Sequence, residues 1–84
     1  MKFLINQDGH FIEVKEGKIY RIIEGNSIHT VTSFGFNHHL RKVIREMYKN
    51  DSYTLYKFFD TIWESDKERL QGIIFDLIFD LIKQ

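Results

Sequence analysis

HFIEVKEGKIYRIIEGNSIHT, residues 10–30, decides the fold class. It holds runs rich in β-branched and aromatic side chains, separated by turn signals that contain Gly. Glu24-Gly25-Asn26-Ser27 reads as a two-residue hairpin loop with Gly first, the order that favours a type II′ turn. Val14-Lys15-Glu16-Gly17 reads as a three-residue loop, a type I turn followed by a left-handed Gly. Asn6-Gln7-Asp8-Gly9 repeats that logic upstream. Four strands follow, Lys2 to Asn6, His10 to Val14, Lys18 to Glu24 and Ser27 to Thr32, in an antiparallel β-meander.

Turn length sets register. The expected partners are Asn6 with His10, Val14 with Lys18 and Glu24 with Ser27. One face then carries Leu4, Ile12, Val14, Tyr20, Ile22 and Val31, and the other Phe3, Ile5, Phe11, Ile19, Ile23 and Ile28. On the second face Glu13 and Arg21 fall diagonally across two strands as a neutralising pair. Both faces are apolar, whereas a meander with one wet face alternates cleanly. The sheet is therefore expected to coil on itself or to have its second face covered.

Beyond Thr32 the hydrophobic period changes from two to 3.6. Phe36, Leu40, Val43, Ile44 and Met47 mark a first helix, with Ser33 or Asn37 as its N-cap. Asn50-Asp51-Ser52 breaks that pattern and caps a second helix, about Tyr53 to Glu64, with Leu55, Tyr56, Phe59, Ile62 and Trp63 inward. Ser65-Asp66-Lys67-Glu68 has the spacing of a capping box for a third helix running to about Ile82. The expectation is an α+β domain: a four-stranded antiparallel β-meander (1–33) followed by three α-helices (34–84) packed on one face, with no linker or repeat within residues 1–84.

Composition bounds what such a domain does. At 84 residues the core is small, and the 43% of hydrophobic residues are needed to build it. The absence of Cys removes disulfides, thiolate metal sites and a cysteine nucleophile. No apolar run reaches the ~18 residues that span a membrane, and no secretory leader pattern opens the sequence, so a cytoplasmic location is expected. The lack of Ala and Pro, with abundant Ile, Lys, Phe, Asp and Asn, is the drift of an AT-rich coding sequence, as in a low-GC bacterium, its phage or a plasmid. A formal net charge of zero argues against bulk capture of nucleic acid and against an acidic DNA mimic. The charge is segregated: residues 34–49 hold Arg41, Lys42, Arg45 and Lys49 against Glu46 alone, and the acidic surplus lies in residues 50–84.

The third helix is over-equipped. With residues placed every ~100°, Arg69, Gly72, Asp76, Asp80 and Lys83 form one narrow polar stripe. The apolar remainder spans roughly 240°, where a surface helix needs an arc only somewhat wider than ~100°. Leu70, Ile73, Ile74, Leu77 and Leu81 suffice for a core face. Phe75, Phe79 and Ile82 form a second stripe, expected either to be sandwiched within a central helix or to bind another chain. On the first helix, His38, Arg41, Lys42, Arg45 and Lys49 spread over the solvent side. They suit phosphates or an acidic partner, or serve as a solvated face complementing the acidic helices. No aromatic interleaves them, as a single-strand binder requires.

Metal and catalytic patterns are thin. His10 and His29 share a sheet face with Ile22 between them, too far apart for one ion at about 10 Å. His38 and His39 diverge on their helix, and no familiar His–His or carboxylate–His spacing is present. Asp60/Glu64 and Asp76/Asp80 converge only if the second and third helices are antiparallel neighbours, and those helices lack the His that di-metal sites recruit. Nucleophile elbows, phosphate loops and dinucleotide fingerprints are missing. The expectation is a non-enzymatic protein-interaction module without metal or cofactor, a small regulator or inhibitor that buries an apolar patch as a homodimer or on a protein partner. The alternative is a dimeric nucleic-acid-binding regulator using the basic first helix, and a small enzyme working in a dimer cleft comes third.

Overall fold

The computed structural model describes residues 1–83, with the side chains of Asp80 and Leu81 outside the description. Four antiparallel strands, β1 (Lys2–Leu4), β2 (Phe11–Lys15), β3 (Lys18–Glu24) and β4 (Ser27–Thr30), form one sheet in the order β1-β2-β3-β4. Three helices follow, α1 (Phe36–Asn50), α2 (Ser52–Ile62) and α3 (Lys67–Lys83). The fold is α+β, with the helices on one face of the meander.

Only the last of the three expected hairpin registers holds. Glu24 pairs with Ser27 across Gly25-Asn26. Between β1 and β2 the loop is one residue longer than expected. Ile5 donates its amide to the His10 carbonyl at 2.7 Å, and Asn6 sits inside the loop. Its side-chain oxygen takes the amides of Asp8 and His10, and its Nδ2 donates to Glu46 on α1, so this nearly buried amide is satisfied. The extra residue turns β1 over. Phe3 pairs with Ile12 and faces the helices, while Leu4 pairs with Phe11 on the far side.

Between β2 and β3 the loop is one residue shorter than expected. Glu16 and Gly17 both have positive φ, 55° and 78°, as a two-residue type I′ turn requires. Lys15 therefore pairs with Lys18 and Val14 with Ile19, which puts Ile19 in the core in place of Tyr20. A β-bulge at Tyr20 then adds a residue to β3, so that Glu13 faces Arg21 directly and Ile12 faces Ile22. Turn and bulge each shift the register by one. Their sum restores the expected side for Ile12, Ile22, Phe11 and Ile23, while the residues between them, Ile19 and Tyr20, change places.

The core is Phe3, Ile5, Ile12, Val14, Ile19 and Ile22 from the sheet side, met by the buried stripe Phe36, Leu40, Val43, Ile44 and Met47 of α1. From α2 come Leu55, Phe58 and Ile62, and from α3 Leu70 and Ile73. Val31 packs at its edge. The inward face of α2 is rotated from the expected one. Phe58 is fully buried, edge-on to Phe3 at 5.4 Å between ring centroids, while Tyr56 and Trp63 are exposed.

The caps differ too. α1 starts after Gly35 without a side-chain cap, rather than at Ser33 or Asn37. Asp51 caps α2 by accepting the amides of Tyr53 and Thr54 and the Thr54 hydroxyl. α3 begins one residue later than a Ser65 cap implies. Leu70 donates to the Asp66 carbonyl, and the Asp66 carboxylate takes the Ile19 amide at 3.2 Å, tying the helix start to the bulged strand. The β2–β3 turn presses on the same corner, where a Cβ built on Gly17 falls 2.7 Å from the Ser65 hydroxyl.

Nothing among the described residues covers the second sheet face. Leu4, Tyr20 and Ile28 are exposed there and Phe11 and Ile23 half-buried. Cations partly shield them. Lys2 stands over Phe11, and Lys15 and Arg21 stand over Tyr20, each within 6 Å of the ring centre. Arg21 closes a 2.7 Å pair with Glu13, whose hydrogen bond holds that carboxyl below its ordinary value and the guanidinium above its own.

Candidate functional site

α3 packs against α1 and α2. Leu70 and Ile73 enter the core and Ile74 and Leu77 lean on it, which leaves the opposite side of the helix to solvent. That side carries Phe75, Ile78, Phe79 and Ile82, with Phe75 76% and Phe79 60% exposed. The sandwiched arrangement is thus not adopted within the chain, and Phe75, Phe79 and Ile82 form a free apolar stripe. Lys83 stands 4.7 Å over the Phe79 ring. Leu81 and Asp80, assigned from sequence to the inner face and the polar stripe, lie outside the described side chains.

Beside the stripe runs a groove of about 430 Å³ where the three helices meet. Ile44, Leu55 and Phe59 contribute to its lining, with Tyr48 and Tyr56 on its walls and Ile78 between groove and stripe. Tyr48 and Tyr56 are more than half exposed. Tyr56, which α2 turns outward while Phe58 turns in, forms one of those walls. Periodicity reveals the surplus apolar arc of α3, but the cavity next to it depends on how three helices pack and has no signature along the chain.

The basic residues of α1 are only partly available. Arg41 is half-buried and donates to Asp76 of α3 at 2.8 Å, and its other terminal nitrogen lies 3.3 Å from His38 Nδ1. Arg69 on α3 reaches back to Asn37 at 2.6 Å. The cationic helix and the acidic half of the chain thus compensate each other in part, as a complementing face would. Lys42, Arg45 and Lys49 are exposed on α1.

The histidines that the sequence keeps apart, His10 from His29 and His38 from His39, turn to different partners. His10 accepts from Asn6 at Nδ1, and His38 turns toward Arg41. Asp76 is occupied by Arg41, and its expected companion Asp80 has no described side chain. A grouping absent from the sequence reading joins β3, β4 and α1 instead. Glu24 Oε1 lies 3.2 Å from His29 Nε2 and 2.5 Å from His39 Nε2, and the two imidazoles overlap with centroids 4.2 Å apart. All three side chains are partly exposed. The hairpin register held half of the signal, because Glu24 and His29 are diagonal neighbours on the helix-facing side. Only the packing of α1 brings His39 to them.

Comparison of the chain with protein-family models, with curated proteins and with solved structures returns no match.

Proposed function

We propose that this chain is a small non-enzymatic protein-interaction module, a regulator or inhibitor, whose working surface is the α3 stripe with the groove beside it, and that the stripe first takes a second copy of the chain. The observation that carries the reading is the placing of Phe75 and Phe79 on the side of α3 directly opposite its core residues. An exposed stripe of large apolar side chains next to an apolar groove marks an association surface. The chain offers a projecting aromatic ridge and a concave aromatic-lined groove side by side, the self-complementary arrangement that a two-fold interface needs. Zero net charge leaves little general repulsion between copies.

The size is adequate. Two Phe from each of two copies, at about 200 Å² apiece and mostly exposed, hide on the order of 500 Å². Ile78, Ile82, Tyr48 and Tyr56 bring the total toward the roughly 1,200 Å² at which stable interfaces begin. Each fully buried Phe is worth about 1.5–3 kcal/mol before the cost of association.

The test is Phe75→Glu with Phe79→Glu. Both positions are at the surface of the isolated chain, so the double variant is expected to keep the wild-type circular dichroism and to be monomeric where the wild type is associated. Loss of the fold would mean that the two rings serve the core, because two uncompensated charges would then be buried. An association unaffected by the variant would place the contact elsewhere.

A further inference from the structure

We propose that Glu24, His29 and His39 form a divalent transition-metal site of the zinc class, holding one ion through two imidazole Nε2 atoms and one carboxylate oxygen. The three donor atoms already lie within 4.8 Å of one another. Ligands at 2.0–2.2 Å from a tetrahedral ion sit about 3.4 Å apart, so small side-chain rotations complete the set without backbone movement. The set is two neutral nitrogens and one anionic oxygen. That favours zinc, cobalt, nickel or copper over magnesium or calcium, which prefer oxygen alone. Three protein ligands leave a fourth position for water, and the partial exposure of all three groups gives the ion a way in.

The backbone around the site is fixed from both sides. Glu24 and His29 stand on one hairpin closed by a two-residue turn, and Ile22 pairs with His29 across it. His39 is in the first turn of α1, its amide bonded to the Gly35 carbonyl. The overlapping rings point both Nε2 atoms at one carboxylate oxygen. In that geometry an ion replaces the two hydrogen bonds to Glu24 with three coordinate bonds. It also staples the β3–β4 hairpin to α1, elements otherwise held together by apolar packing, so metal binding and folding are coupled. The site lies apart from the α3 stripe and does not depend on self-association.

The experiment uses the untagged chain of residues 1–84, stripped with chelator, titrated with Zn²⁺ by calorimetry and with Co²⁺ by absorption spectroscopy. One ion per chain is expected, with the intense ligand-field bands of a tetrahedral cobalt centre. At a hundredfold excess of Zn²⁺ over its dissociation constant the thermal midpoint should rise by about 10 °C or more. Glu24→Gln, His29→Ala and His39→Ala should each weaken binding at least tenfold, while His10→Ala and His38→Ala leave it unchanged. Glu24→Gln keeps the shape of the side chain, so it carries the test if a histidine variant proves unfolded by circular dichroism. Zinc bound no more tightly by the wild type than by the His29→Ala, His39→Ala double variant would overturn the proposal and leave a hydrogen-bonded cluster. Equal loss in the His10 and His38 variants would overturn it as well.

Discussion

Gly17 shows how much one position is asked to do. Its φ of 78° is a left-handed conformation that side chains resist, and a β-carbon there would fall 2.7 Å from the Ser65 hydroxyl. Gly9 has nearly the same φ, 80°, with open space around it. The conformational cost of Ala, about 1 kcal/mol, is common to both positions, and only Gly17→Ala also forces Ser65 to move. Denaturant titration should therefore find Gly9→Ala destabilised by about 1 kcal/mol and Gly17→Ala by about 2 kcal/mol or more. Equal costs would mean that the turn does not bear on the α2–α3 connection. Asp51 makes a pH-dependent claim. The Thr54 hydroxyl, then the Thr54 and Tyr53 amides, hold its carboxyl below the ordinary aspartate value. The folded state therefore prefers the charged form. Its stabilising effect is complete at neutral pH and is lost as pH falls below about 4. The gap in thermal midpoint between wild type and Asp51→Ala should be present at pH 7 and close in acid. A gap that persists at low pH would show that the cap acts through something other than charge.

Among the elements, β1 and α2 were misread from sequence, and the two errors meet at one contact. A four-residue loop between β1 and β2 turns Phe3 inward, and Phe58 of α2 is the side chain that meets it. Phe58→Ala should cost about 3–5 kcal/mol in chemical denaturation, the range for emptying a core aromatic site. Tyr56→Ala, on the exposed side of the same helix, should cost less than about 1 kcal/mol. The reverse ranking would restore the inward face read from periodicity. α1 was legible because its stripe is unambiguous and all five residues read as core are buried. α2 was not, because Tyr53, Tyr56, Phe58, Phe59 and Trp63 offer apolar surface all round and the choice belongs to the neighbours. The turns were located correctly, and the last also in length, but the first is one residue longer and the second one shorter than expected, the second because Glu16 adopts a left-handed conformation. The Glu24–His29–His39 cluster was hidden for a related reason: its members come from two layers, and no spacing along the chain records how α1 lies on the hairpin.

For the molecule as a whole, α3 is the element on which the proposed association rests. It is tied to the rest by Leu70 and Ile73, by the Asp66 carboxylate on the Ile19 amide and by the pairs Arg41–Asp76 and Arg69–Asn37. Its outer side carries apolar residues that none of these contacts uses. A domain of 84 residues has little stability to spare, and in the function we propose a partner covers that surface. The most direct measurement is sedimentation equilibrium of the wild-type chain from low to high micromolar concentration. The account predicts a concentration-dependent mass that rises to twice the 10.2 kDa of the chain. A mass that stays at 10.2 kDa across that range would contradict self-association through α3.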